Sequence, residues 1–208
     1  CAWDSGNENC NTVYEHGEDL YAQRISVEDN TINTQWGYGG KLICNAESDQ
    51  TSPRVAPFSG DKTIMTWEDQ RDDDTDVYFQ ILDENGDGDL SINGVPACIG
   101  EGQIIKPRVK AEDSIAFIVW EDQRDGNSDI YAQKINSDGS TLWNDNGLAI
   151  STAMETQSEP RLTTDGDGGV YFVWEDQRNS DETGIDIYAQ HVNSDGSVSH
   201  ADDGVLIC

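Results

Sequence analysis

The chain has 208 residues, enough for one large β domain or two small ones. Its 41 acidic residues face only 12 basic ones, so the formal net charge is −29. This charge excludes nucleic acid as a partner, because no basic surface is available to displace counterions, and it disfavours anionic membranes as well. No stretch approaches the roughly 18 apolar residues that span a bilayer, so the sequence predicts no membrane insertion.

A five-residue string, Trp-Glu-Asp-Gln-Arg, recurs along the chain. It occupies residues 67–71, 120–124 and 174–178, at spacings of 53 and 54 residues. A second string, Asp-x-Tyr-x-Gln, follows each copy at 76–80, 129–133 and 186–190, and a Pro-Arg pair precedes each at 53–54, 107–108 and 160–161. A partial copy begins at Trp3-Asp4 and continues at 19–23. Such a period indicates stacked repeats that bury their cores against one another.

Each repeat predicts four strands in chain order. The first begins at the Pro-Arg pair, since proline is tolerated where no ladder donor is needed. The second is a continuous apolar run, such as 115–120, which indicates a strand buried on both faces. The third starts at the Asp of the second string, and a hairpin turn such as 136–139 leads to a short fourth strand. No helical period is present.

These repeats predict an all-β fold, a β-propeller of about four repeats of four antiparallel strands, with the first blade incomplete. We assign one domain, 1–208, with a partial blade at 1–44 and blades at approximately 45–98, 99–151 and 152–208. A β-solenoid is the alternative, although its coils are usually shorter. The incomplete blade leaves two explanations open: the chain is part of a larger propeller, or a strand from a neighbouring subunit completes it.

The strings Trp-Glu-Asp-Gln-Arg, Asp-Ile-Tyr-Ala-Gln and Gly-Val-x-x-Cys resemble a tandem repeat of secreted bacterial proteins that form propeller-like folds and are largely uncharacterised. The resemblance covers nearly the whole chain, and it implies a location that is extracellular or on the cell surface. The turn at 137–139 departs from the spacing of the sialidase Asp box, so we do not transfer sialidase activity.

Most charged and aromatic residues that could act in catalysis occur once per repeat, so we interpret them as structural. Six of the seven arginines are of this kind, and we expect them to pair with Asp of the same or the next blade. The alternative is an arginine cluster that binds carboxylate sugars. The structural repeat positions are Trp67, Arg71, Tyr78, Trp120, Arg124, Tyr131, Trp174, Arg178 and Tyr188, and the Pro-Arg pairs add Arg54, Arg108 and Arg161.

Acidic residues gather in the loops between the second and third strands. They form either a solvated acidic face or a set of ligands for Ca²⁺, which is the one cofactor that we consider. Residues 83–89 also start like an EF-hand loop, but Gly94 stands where that motif requires Glu. The candidate Ca²⁺ ligands are Asp69, Asp72, Asp73, Asp74, Asp83, Asn85, Asp87, Asp89, Asp122 and Asp176.

Residues outside the repeat are the best candidates for specific binding. The loop before residue 19 supplies Tyr14 and His16, and Trp36 and Trp143 are candidate aromatic platforms. The histidines show no metal spacing, so we expect surface positions for them. Three cysteines, Cys44, Cys98 and Cys208, hold matching blade positions, too far apart in a ring for a disulfide, whereas Cys1 and Cys10 share one blade.

These observations predict a non-enzymatic structural or adhesive protein that self-assembles into a filament or surface layer by strand complementation. Its partners are copies of itself, other surface proteins or glycans, and no catalytic residue is nominated. The alternative is a glycan-binding module or a sialidase-like glycoside hydrolase, which needs two carboxylates at a defined separation. A site built from non-repeating residues favours this alternative.

Overall fold

The computed structural model describes residues 17–28 and 31–208, and the regular elements of these residues are all β-strands. No helix long and apolar enough to cross a bilayer occurs in this part of the chain. The strands are β1 (Leu20–Ala22), β2 (Ile25–Glu28), β3 (Thr31–Thr34), β4 (Lys41–Cys44), β5 (Gln50–Phe58), β6 (Lys62–Asp69), β7 (Asp76–Leu82), β8 (Val95–Cys98), β9 (Ile104–Glu112), β10 (Ile115–Asp122), β11 (Asp129–Asn136), β12 (Leu148–Ser151), β13 (Gln157–Thr164), β14 (Val170–Asp176), β15 (Asp186–Val192) and β16 (Val205–Leu206).

Three four-stranded antiparallel sheets follow one another along the chain, in the orders β5-β6-β7-β8, β9-β10-β11-β12 and β13-β14-β15-β16. Strands β1 and β4 form a two-stranded sheet before them, and β2 and β3 form a separate hairpin. Each large sheet corresponds to one sequence repeat. The predicted all-β fold, built from sheets of four antiparallel strands, is therefore confirmed.

The first strand of each sheet is the innermost. Strand β9 packs against β5 on one side and against β13 on the other, so the three Pro-Arg strands form one continuous wall. The sheets share cores: Phe79 and Ile81 of one blade pack with Ile118 and Trp120 of the next. A sheet that lies between two other blades is buried on both faces. The second and third strands of such a sheet therefore need runs of apolar residues.

A glycine at the start of each fourth strand lets that strand approach the repeat tryptophan. Gly94 has φ +76°, and a Cβ there would overlap the ring of Trp67 and lie 2.7 Å from the carbonyl oxygen of Phe79. Gly147 and Gly204 make the same approach to Trp120 and Trp174. The glycine that recurs four residues before each blade end is therefore required for two reasons: its backbone is left-handed, and there is no room for a Cβ atom beside the tryptophan.

The last sheet exposes the face that the earlier sheets bury. Tyr171 and Val173 of β14 are 47% and 39% exposed. Phe117 and Val119, their equivalents in β10, are fully buried beneath the next blade.

Candidate functional site

The repeated tryptophan, aspartate and arginine form one hydrogen-bonded unit in each blade. In the central blade Trp120 Nε1 donates to Asp122 Oδ2 at 3.0 Å and Arg124 Nε donates to Asp122 Oδ1 at 2.7 Å. The Arg124 guanidinium also lies 4.5 Å from the ring centre of Tyr131. Arg71 and Arg178 make the same contacts with Asp69 and Asp176.

This arrangement uses both oxygens of each buried carboxylate. Asp69, Asp122 and Asp176 are fully buried, and each accepts from a tryptophan and from an arginine of its own repeat. Burial alone would raise the pKa of Asp176, but hydrogen bonds from Arg178 and Trp174 hold it below its ordinary value. These three predicted Ca²⁺ ligands are therefore occupied by partners of the chain itself.

The other predicted Ca²⁺ ligands are spread over separate contacts. Asp83 caps its own turn by accepting from the amides of Asn85 and Asp87, while Asp87 and Asp89 pair with Lys41 and Lys62 at 2.7 and 2.8 Å. The remaining ligands, Asp72, Asp73 and Asp74, lie in the loop after β6. Within residues 17–28 and 31–208 no three acidic, histidine or cysteine side chains converge as a metal site. Calcium binding stays a prediction.

The cysteines at matching blade positions contact the arginine of the following blade. Arg124 Nη2 lies 3.3 Å from Cys98 Sγ, and Arg71 Nη2 lies 3.6 Å from Cys44 Sγ. Burial raises the pKa of Cys44 to about 11 and that of Cys98 to about 12, so both stay protonated thiols. Both thiols are free, as is the exposed Cys208. Cys1 and Cys10 lie outside the described residues.

A bulge interrupts each innermost strand next to the Pro-Arg pair. Ser52, Lys106 and Glu159 hold equivalent positions there with φ of 54°, 55° and 52°, a left-handed conformation that costs non-glycine residues about 1 kcal/mol each. The amides of Lys106 and Glu159 donate at 2.7 Å to Glu68 and Glu121 of the preceding blade. The glutamate of Trp-Glu-Asp-Gln-Arg therefore fixes the bulge of its neighbour.

The three bulge residues differ although the backbone around them repeats. Lys106 Nζ reaches Glu121 Oε1 at 3.1 Å and Glu159 Oε1 at 2.9 Å. The hydrogen bond from Lys106 lowers the pKa of Glu159, and the reciprocal bond raises the pKa of Lys106. A non-repeating ion pair thus sits in a strained segment, a combination that is frequent at functional sites.

Two arginines flank Glu159, and a third, Arg54, lies near one of them, Arg108. Arg161 Nη2 lies 3.2 Å, and Arg108 Nη2 lies 3.9 Å, from Glu159 Oε2. Burial, followed by the positive charges of Arg54 and Arg161, lowers the pKa of Arg108. We call this group the inner-strand cluster, and its members are Arg54, Lys106, Arg108, Glu121, Glu159 and Arg161.

The residues predicted to bind ligand lie elsewhere or outside the described chain. Trp36 and Trp143 are partly buried at the outer hairpins, where each packs on a turn glycine of the next blade, Gly86 or Gly196. Trp36 also borders a cleft of about 390 Å³ that Val55 and Met65 help to line. Tyr14 and His16 lie outside the described residues. Neither tryptophan is part of the inner-strand cluster.

His191 has more partners than the expected surface position implies. Its Nε2 lies 2.8 Å from Asp165 Oδ2, its Nδ1 lies 2.9 Å from Ser199 Oγ, and its ring stacks on Tyr171 at 4.2 Å. Hydrogen bonding to His191 lowers the pKa of Asp165. The amide of Ser199 donates to the carbonyl of His191 at 2.8 Å. A nucleophilic serine requires free backbone amides that bind the oxyanion of the reacting substrate, and the amide of Ser199 is not available for this.

Sequence reasoning missed the inner-strand cluster because its charged pair does not repeat. The arginines of the three Pro-Arg pairs repeat. The residue two positions before each of these arginines does not: it is Ser52, Lys106 or Glu159. Comparing the residue two before each Arg across the repeats would have exposed the variation. The bulge that brings these side chains together has no sequence pattern of its own.

No protein-family model and no curated protein matches the chain. Its fold matches the α-L-arabinanase of Penicillium chrysogenum, solved with arabinobiose, at a TM-score of 0.52 and 14% identity over 76% of this chain. It also matches the GH93 α-L-arabinofuranosidase of Fusarium graminearum, likewise solved with arabinobiose, at 0.51 and 10% identity over 90% of this chain. The chain spans 48% and 61% of those two proteins.

The likeness to these solved structures establishes the propeller-type fold. It also overturns the prediction of a non-enzymatic structural or adhesive protein assembled by strand complementation, because both matched structures are glycoside hydrolases. The prediction that the chain is not an enzyme was wrong for the same reason. Repetition of the polar residues suggested a structural role, and it hid the residues that break the repeat. The alternative prediction, a glycan-binding module or a sialidase-like glycoside hydrolase, includes the class to which both matched structures belong.

Proposed function

We propose that the chain forms the carbohydrate-processing part of a glycoside hydrolase of the propeller type, with its sugar site at the inner-strand cluster. The fold of the two hydrolases supports the enzyme class. We further propose that the protein acts outside the cell, as its resemblance to secreted repeat proteins implies. Because the chain spans only part of those hydrolases, other segments of a longer protein could contribute to the complete site.

One observation carries this proposal: the ion pair of Lys106 and Glu159 is not repeated, yet it stands on a bulge that every inner strand repeats. The Trp-Asp-Arg units that hold each blade together recur in every repeat, and this pair does not. Glu159 keeps 36% of its side chain exposed, which leaves its carboxylate accessible to a ligand.

Glycoside hydrolysis needs two carboxyl groups with different protonation states. Glu121 and Glu159 both contact Lys106 Nζ, at 3.1 and 2.9 Å. Hydrogen bonds from Lys106 favour the ionised form of Glu159, as a nucleophile or base requires. Glu121 has only 4% of its side chain exposed, and its Oε1 accepts from Lys106 Nζ and from the amide of Glu159, so the proton donor must be another group.

The test is release of reducing ends from a panel of polysaccharides that includes arabinan and pectin, with wild type and Glu159→Gln. We expect the variant to lose at least about a hundredfold in rate, since a nucleophile or base is removed while shape is kept. Glu101→Gln, at an exposed carboxylate before β9, is the matched control and should keep full activity. Cleavage by Glu159→Gln at the wild-type rate, or no cleavage by wild type, would contradict the proposal.

A further inference from the structure

Each Pro-Arg pair orients its guanidinium in the same way. Arg54 Nη1 donates to Pro53 O at 2.8 Å, Arg108 Nη1 donates to Pro107 O at 3.0 Å, and Arg161 Nη1 donates to Pro160 O at 2.9 Å. Each of these carbonyls binds only one nitrogen, Nη1, of its guanidinium group. The other N–H groups of the guanidinium are therefore available to bind a partner. Three similar guanidinium groups therefore line neighbouring innermost strands.

The chain already places a carboxylate against one pair of these arginines. Glu159 Oε2 lies 3.2 Å from Arg161 Nη2 and 3.9 Å from Arg108 Nη2. The bulge of one blade therefore presents an acidic group to its own arginine and to that of the preceding blade. This contact shows which chemical group fits between adjacent guanidinium groups on this wall.

The neighbouring interval, between Arg54 and Arg108, lacks such a carboxylate. Its bulge residue is Lys106, whose ammonium turns to Glu121 and Glu159 instead. Within the part of the chain that the structure describes, Arg54 has no carboxylate oxygen within 4.0 Å. Burial, followed by the positive charges of Arg54 and Arg161, lowers the pKa of Arg108.

A concentration of positive charge here is notable because the protein as a whole carries −29. Four of the 12 basic residues lie at or next to the bulges of three adjacent strands: Arg54, Lys106, Arg108 and Arg161. Cations gathered in this way raise the local potential for an anion that enters, against the field of the rest of the molecule.

We propose that Arg54 and Arg108 together bind the carboxylate of an acidic sugar, so that the glycan processed at the inner-strand cluster is a uronic-acid polymer. The carboxylate takes the place between these two arginines that Glu159 takes between Arg108 and Arg161. Arginine suits this role because its planar fork matches a carboxylate better than an ammonium does. This inference rests on the proposed function.

The experiment is calorimetric titration with three oligosaccharides in buffer containing EDTA: trigalacturonate, its methyl ester and a sulfated neutral trisaccharide. The methyl ester has the same size without the charge, and the sulfated sugar carries an anion of another shape. We expect trigalacturonate to bind at least tenfold more tightly than either. Arg54→Gln should remove that preference, Arg54→Lys should retain part of it, and the control Arg24→Gln, at an exposed outer hairpin, should leave it unchanged.

The outcomes separate this inference from the proposed function. If the methyl ester and trigalacturonate bind equally and Glu159→Gln weakens both, the sugar site stands and the carboxylate specificity is wrong. If the sulfated sugar binds most tightly, the site is anionic but the uronate assignment is overturned. If no sugar binds to a folded wild-type protein, both proposals fail. Melting curves of each variant show whether a loss of binding follows from unfolding.

Discussion

The buried aspartates show how one residue type meets opposite environments at two different positions of the repeat. Asp176 accepts from Trp174 and from two nitrogens of Arg178, whereas Asp76 has one amide donor, Gly100 N at 3.1 Å. The pKa of Asp176 is accordingly lowered, and burial raises the pKa of Asp76 to about 6. Removal of these two carboxylates should therefore change stability in opposite directions.

We expect Asp176→Asn to destabilise the protein by about 3 kcal/mol at pH 7, because Arg178 is left partly buried without its anion. A carboxyl whose pKa is lowered on folding stabilises above its unfolded value of about 4 and loses that effect as the pH falls. The loss should therefore shrink in acid. Urea unfolding at pH 7 and pH 3 checks this, with the exposed Asp181→Asn as control. Equal losses at both pH values would be inconsistent with it.

Asp76→Asn should instead stabilise the protein at pH 7.5 by about 1 kcal/mol, because it removes the cost of ionising a buried acid while keeping the oxygen that accepts from Gly100. A carboxyl whose pKa is raised on folding stabilises below about pH 4 and loses that effect as the pH rises through about 6. The gain should disappear at pH 4. Thermal unfolding at both pH values measures it, and the exposed Asp73→Asn serves as comparison; a variant less stable than wild type at pH 7.5 would refute it.

At the scale of one blade, the glycine before the fourth strand is required for two reasons: its left-handed backbone and its close approach to the repeat tryptophan. A pair of variants separates these two reasons. Gly94→Ala should cost more than about 3 kcal/mol, since the methyl group meets the Trp67 ring and the Phe79 carbonyl in addition to the strain of a left-handed backbone. Gly126→Ala, with φ +105° and no atom within 4 Å of its Cβ, should show the strain alone, about 1 kcal/mol. Chemical denaturation of both is the measurement, and equal costs would mean that the close approach to Trp67 does not matter.

Blade architecture was predictable from the sequence, and the bulges were not. The apolar run of β10 and the turn after β11 determined strand number and order, because burial on both faces leaves few alternatives. The left-handed residues Ser52, Lys106 and Glu159 share no side-chain preference for that conformation. The bulges at Lys106 and Glu159 are held by a glutamate from the preceding blade, a tertiary contact that local sequence does not encode.

At the scale of the whole molecule, the charge of −29 sets the response to salt. Repulsion among carboxylates should be screened as NaCl rises from about 0.01 M to about 0.5 M, so the melting temperature should increase over this range. CaCl₂ added at matched ionic strength tests the calcium prediction, because a specific site would raise the melting temperature further. A melting temperature that falls with NaCl would mean that ion pairs such as that of Lys106 and Glu159 outweigh the general repulsion.

The site was harder to predict than the fold because repetition dominates the sequence. The repeated Trp, Asp and Arg drew attention, and their contacts show that they bind one another. The residues proposed for function come from the single place where equivalent positions carry Ser, Lys and Glu. Their convergence depends on three blades standing side by side, which becomes visible only in the packed molecule.

The most direct test of the central claim is an NMR titration that follows the side-chain Nε–H signals of the seven arginines as trigalacturonate is added. If Arg54 and Arg108 bind the sugar carboxylate, their signals shift with a common saturation curve, while those of Arg71, Arg124 and Arg178, which are bound to buried aspartates, stay in place. Shifts confined to Arg24, or no shift at saturating sugar, would contradict a glycan site on the innermost strands.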